Sequence, residues 1–141
     1  MVFSSGEALS DIVGHIDGRN RPLVTFSVPG HEDAVLALID TGFNGYLLMH
    51  EDVAGRLGFV NRGLTTTVEF AGHARHRLNV ADGRISWFDR LVDVSVLVSS
   101  DSPPRAAAPD EPIALIGTAL LNPHKLVVDF ASGQVLIAEA K

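Results

Sequence analysis

Residues 35–46 read VLALIDTGFNGY, and this stretch constrains the chain more than any other. An almost unbroken apolar run stops at Asp40-Thr41-Gly42, and Phe43-Asn44-Gly45 follow. The run has the length and composition of a strand buried on both faces. Gly, and to a lesser degree Asn, accept positive φ, so the residues after the run predict a tight turn. A carboxylate delivered by a buried strand into such a loop is costly unless it is hydrogen-bonded or shared. Asp40 therefore has two readings: it caps the turn through backbone amides, or it does chemistry.

The rest of the chain narrows the setting. A length of 141 residues fits one domain, 1–141, with a real core. A net charge of −6 argues against a nucleic-acid partner, which requires a basic patch. With no cysteine, disulfides, thiol catalysis and thiolate metal sites are excluded. The first residues, MVFSSGEALSD, lack a basic stretch and an apolar one, so no signal peptide is expected. No apolar run approaches the ~18 residues that span a bilayer, so neither a membrane nor an exported location is expected, and the cytoplasm is the default.

Taken in order, residues 1–10 show no strong periodicity and read as a flexible arm, or as a strand that orders only against a partner. Ile12 to Ile16 and Leu23 to Val28 flank Asp17-Gly18, a strong hairpin signal. Pro29-Gly30 marks the next turn, before the strand that ends at Asp40. Tyr46 to Met49 continues as a strand, and HEDVAGRL (50–57) predicts a short helix, acidic first and basic last, with Gly58 at the C-cap. Leu64 to Phe70 and Arg75 to Val80 predict a hairpin with a small tip at Ala71-Gly72-His73. Val80 to Trp87 and Leu91 to Val98 predict another pair, with Asp82-Gly83 as a second tight turn or a bulge. Residues 99–112, with four prolines, read as a surface loop. Ile113 to Ile116 is a buried-type strand ending in Gly117, then a helical turn over 118–122 stopped by Pro123. A closing hairpin turns at Ala131-Ser132-Gly133. About ten short strands with one short helix and one helical turn predict an all-β fold, closed or nearly so.

Three segments in this order, LIDTGFNGYLL, ALIGTALL and LVVDFASGQVLI, resemble those of the retropepsin-like aspartic peptidases, and of small prokaryotic members with a DTGF loop in particular. The resemblance covers Leu23 to Ile137. It implies a closed β-barrel, active as a two-fold homodimer, with Asp40 catalytic and no cofactor or metal. Two carboxylates sharing one proton supply both the base that activates water and the acid that protonates the leaving amide. One Asp-Thr-Gly per chain makes the second carboxylate Asp40 of another copy. The resemblance further implies that Thr41 bonds across the axis and Gly42 allows close approach there. Ile116 and Gly117 support the loop, and Ala71, Gly72 and His73 form a flap that closes over a peptide or protein substrate. Such a dyad predicts an acidic to near-neutral optimum, because the shared proton must be retained. Two departures stand out: the flap tip FAGHARHR carries two histidines, and the Pro-rich loop lengthens the approach to Ile113.

Rival readings belong beside this one. Asp17, Asp82, Asp89 and Asp129 are explained by turns and strand ends; Asp129 is the most tempting, but lacks a hydroxyl residue directly after it. The six histidines form no HExxH set, and His73-x-x-His76 reads as solvated rather than metal-binding. No phosphate loop or GxSxG elbow is present. A non-catalytic dimeric barrel that binds peptides or serves assembly is the alternative from another class, and a monomeric small-ligand barrel is a third.

Overall fold

The computed structural model describes residues 11–69, 75–100 and 109–140. The expected arm at 1–10, the flap tip at Ala71, Gly72 and His73, and most of the Pro-rich loop lie outside these residues. The strands are β1 (Ile12–Ile16), β2 (Pro22–Phe26), β3 (Val35–Ile39), β4 (Leu47–His50), β5 (Val60–Glu69), β6 (Arg75–Trp87), β7 (Arg90–Ser99), β8 (Ala114–Ile116), β9 (Lys125–Asp129) and β10 (Gln134–Ala138). Two short helices interrupt them, α1 (Glu51–Arg56) and α2 (Thr118–Leu121). All ten strands join one sheet in the order β5-β6-β7-β4-β8-β3-β2-β1-β10-β9.

The closed barrel is corrected here. Among the described residues no ladder of hydrogen bonds closes the sheet, and β5 and β9 are its edges. What brings the two halves together is a shared core rather than a continuous ladder. Val24, Phe26, Ala37, Ile39 and Leu47 pack in one cluster with Ile85, Val96, Ile116, Val135 and Ile137. One antiparallel bridge, Ser27 to Ser86, crosses between β2's end and β6, with the Ser86 N–H donating to the Ser27 carbonyl at 2.8 Å.

Alternation along the strands decides which face enters this core. In β3, Val35, Ala37 and Ile39 are buried while Leu36 and Leu38 are half-buried. The expectation of burial on both faces thus holds fully for one face and partly for the other.

The turns follow local chemistry. Asp17 Oδ1 accepts the amides of Arg19 and Arg21 at 3.0 and 2.9 Å, closing the β1–β2 hairpin. Its carboxyl lies below the usual range, first because the Arg21 side chain donates to it. Asp129 does the same for the β9–β10 turn. The β6–β7 connection is two residues, Phe88 and Asp89, with φ of 52° and 58°, the doubly positive geometry that matches strand twist. Phe88 is a bulky residue in that region, and its buried ring is held against Trp87 and His124 at centroid distances of 5.5 and 4.3 Å.

Helix α1 begins where expected. His50 is its N-cap, accepting the Asp52 amide at Nδ1. It ends in a Schellman pattern, in which Gly58 donates to the Gly55 carbonyl and Phe59 to the Ala54 carbonyl, with Gly58 at φ 76°.

Asp82-Gly83 is the second correction. It is neither a turn nor a bulge but the middle of β6, a single strand of 13 residues where two were expected. The irregularity lies opposite, in β5 between Asn61 and Leu64, where Gly63 has φ 73°. Gly83 suits the space: a Cβ there would sit 3.0 Å from the Phe59 ring and Val96, tight enough that those side chains would have to give. Asp82 instead faces Arg62 at 3.6 Å.

Candidate active site

Strand β8 lies between β3 and β4, parallel to β3 and antiparallel to β4. The chain leaving β3 must therefore cross the end of β8 to reach β4, and the crossing is Asp40 to Tyr46. The Asp40 amide donates to the Ile116 carbonyl at 2.9 Å, extending the β3–β8 ladder by one residue. The loop then tightens, with the Phe43 amide donating to the Asp40 carbonyl at 3.1 Å.

The capping interaction is present: Asp40 Oδ1 accepts the Gly42 amide at 3.0 Å. It uses one oxygen only. Among the described residues Oδ2 has no hydrogen-bond partner. Asp40 is half-buried as a residue, while Thr41, Gly42 and Asn44 are exposed.

Ile116 and Gly117 meet this loop from below. The Gly117 amide donates to the Tyr46 carbonyl at 3.1 Å. The next two amides, Thr118 and Ala119, donate to the carbonyls of Phe43 and Gly45 at 2.8 and 3.2 Å. Gly117 is the N-cap of α2 and has no side chain to satisfy other amides, so part of the first turn's orphan donors are spent on the Asp40 loop instead. A Cβ on Gly117 would fall 2.2 Å from the Gly45 carbonyl oxygen. Only glycine fits.

Of the residues singled out in the sequence, Asp40, Thr41, Gly42, Ile116 and Gly117 thus come together. Phe43 and Gly45 belong with them and were missed. Phe43 is 2% exposed, and its ring fills the space a side chain at Gly45 would need. The available signal was a phenylalanine between two glycines, which pairs a bulky ring with the bare backbone able to receive it.

A cavity of about 730 Å³, lined by Val28, Phe59, Gly83 and Val94 among others, lies elsewhere and does not include Asp40. Among the described residues no group of three or more His, Asp or Glu side chains could hold a metal ion. None of their helices is long and apolar enough to cross a membrane.

Mostly β, with two short helices and a carboxylate loop crossing the end of an inserted strand, the chain has the retropepsin-like fold. It is similar over 90% of its length, and over 89% of the other chain, to the crystal structure of a retropepsin-like aspartic protease from Rickettsia conorii, with a TM-score of 0.54 and 16% sequence identity. No protein-family model matches the chain. No curated protein matches it either.

Proposed function

We propose that this protein is an aspartic endopeptidase, active as a two-fold homodimer in the cytoplasm, without cofactor. In this reading the Asp40 carboxylates of two copies hold one water and one proton between them. One carboxylate takes a proton from the water as it attacks the peptide carbonyl, and the other gives a proton to the leaving amide. Thr41 bonds across the axis, Gly42 lets the loops approach, and Ala71, Gly72 and His73 close over a peptide or protein substrate.

The observation that carries the proposal is the state of Asp40. It is half-buried and clamped at its backbone by β8, and among the described residues it keeps one oxygen unpaired beside exposed Thr41 and Gly42. A turn cap has no need of that third strand. The similar fold of a retropepsin-like aspartic protease supports the same reading.

The test is Asp40→Asn, assayed with a peptide library beside the wild type, with mass in solution measured for both. The proposal expects dimers of both proteins and hydrolysis by the wild type alone. A well-formed wild-type dimer without hydrolysis would favour the peptide-binding or assembly module. Full activity in Asp40→Asn would remove the site assignment.

A further inference from the structure

The described residues form two apolar clusters, and the smaller one leads from the Asp40 loop to the β5–β6 hairpin. Phe43 packs there with Leu78, Val80 and Leu97, against half-buried Val68, Leu48 and Leu115. Leu78 and Val80 belong to β6 and Val68 to β5, so the hairpin stem rests on a ring that the Asp40 loop supplies.

The ring has little freedom. A Cβ on Gly45 would meet its Cζ at 2.5 Å and Cε1 at 2.8 Å, and a Cβ on Gly117 would meet its Cδ2 at 2.6 Å. Two bare glycines receive it. Its own backbone is fixed at both ends: the Phe43 amide is on the Asp40 carbonyl at 3.1 Å, and its carbonyl accepts from Thr118 at 2.8 Å. Packed interiors pass displacement on rather than absorbing it, because they have few voids. A shift of the stem that moves Leu78 or Val80 must therefore move the ring, and through one hydrogen-bonded turn the Asp40 carboxylate.

We propose that Phe43 is a positioning residue that couples the packing of the β5–β6 hairpin to the placement of Asp40. Catalysis then responds to the hairpin stem through this ring. The functional half of the statement rests on the peptidase reading above; the mechanical half does not.

The experiment compares Phe43→Leu, Leu78→Val and their double variant with Ile137→Val, a change in the other cluster. Two readouts are taken: kcat and KM on a cleaved peptide, and the titration of the Asp40 side-chain carboxyl followed by carbon NMR. Misplacement by about 1 Å can cost on the order of 100-fold in rate. Phe43→Leu is expected to lower kcat by about 10- to 100-fold with KM changed less than about threefold, and to shift the Asp40 titration. Leu78→Val is expected to move both readouts the same way by less, and the double variant to fall short of the product of the single effects, as coupled neighbours do. Ile137→Val leaves both readouts unchanged at a similar loss of melting temperature.

Rescue adds a second check. Gly45→Ala is expected to be poorly tolerated alone and better tolerated with Phe43→Leu, since leucine has no Cζ to meet the new methyl. If Phe43→Leu does not fold, Leu78→Val against Ile137→Val still decides. Rates that follow melting temperature alike in all variants, with an unmoved Asp40 titration, overturn the coupling. A wild type that cleaves nothing overturns the peptidase reading instead, and the NMR titration then decides the coupling alone.

Discussion

Two loops in this molecule begin with an aspartate at the end of a strand and turn on small residues: Asp40-Thr41-Gly42 after β3, and Asp129 to Gly133 after β9. Each aspartate accepts backbone amides from its own turn, Asp40 from Gly42 and Asp129 from Ala131 and Ser132. They part in what surrounds them. Asp129 joins two strands paired directly with each other, its turn is exposed, and its carboxyl is held below the usual range, first by the Ser132 side chain and then by backbone amides. Asp40 joins strands separated by β8 and is half-buried. The lesson concerns context. An aspartate whose turn joins two directly paired strands is explained by that turn alone, whereas one carried across the end of a third strand is not, and the peptidase proposal builds on that difference.

The contrast can be broken at several places. The largest expected effect is on rate: Asp40→Asn should lower hydrolysis by about 10²–10⁴-fold, the range for a lost general acid–base group, while Asp129→Asn leaves it unchanged. Because an asparagine oxygen can still accept the Gly42 amide, Asp40→Asn should change stability by less than about 1 kcal/mol, checked by urea unfolding. Equal losses of activity in the two variants would erase the distinction.

The glycines come next. Gly117→Ala places a methyl on the Gly45 carbonyl, backbone against backbone, and should cost about 3 kcal/mol or more in urea unfolding. Gly133, in the Asp129 turn, has open space around it but φ of 72°, so Gly133→Ala should cost only about 1–2 kcal/mol. One glycine is needed for space and the other for backbone angle. Similar costs would show that the Asp40 loop is not clamped as described.

The smallest effect is a pH dependence. Asp129 stays ionised more readily in the folded chain than in the unfolded one. Its contribution is therefore complete above the ordinary value of 3.8 and fades as pH falls through the lower folded value. Melting temperature measured through that acid range should fall less steeply in Asp129→Asn than in the wild type. Parallel curves would mean that the turn does not hold the ionised form.

Much of this was legible in the residues. The apolar run before Asp40, the Asp17-Gly18 hairpin and Gly58 closing α1 are local signals, since each residue's conformation is set by its neighbours in sequence. Gly83 misled because its reason is non-local: the Phe59 ring approaches from the segment between α1 and β5, and sequence order hides that. Barrel closure failed for the same kind of reason, since a resemblance in segments does not say whether the two edge strands meet. At the site, Asp40 and Gly117 stood out through their motifs. Phe43 did not, because the residues it packs with, Leu78 and Val80, lie more than thirty residues away. The flap residues Ala71, Gly72 and His73 remain a proposal from the sequence.

The central claim is that two Asp40 carboxylates act together. The most direct test mixes wild type and Asp40→Asn in equal amounts, lets the subunits exchange, and compares hydrolysis with the same total amount of wild type. If both carboxylates are needed, random pairing leaves about a quarter of the activity. About half would mean that each chain works alone, and would contradict the account.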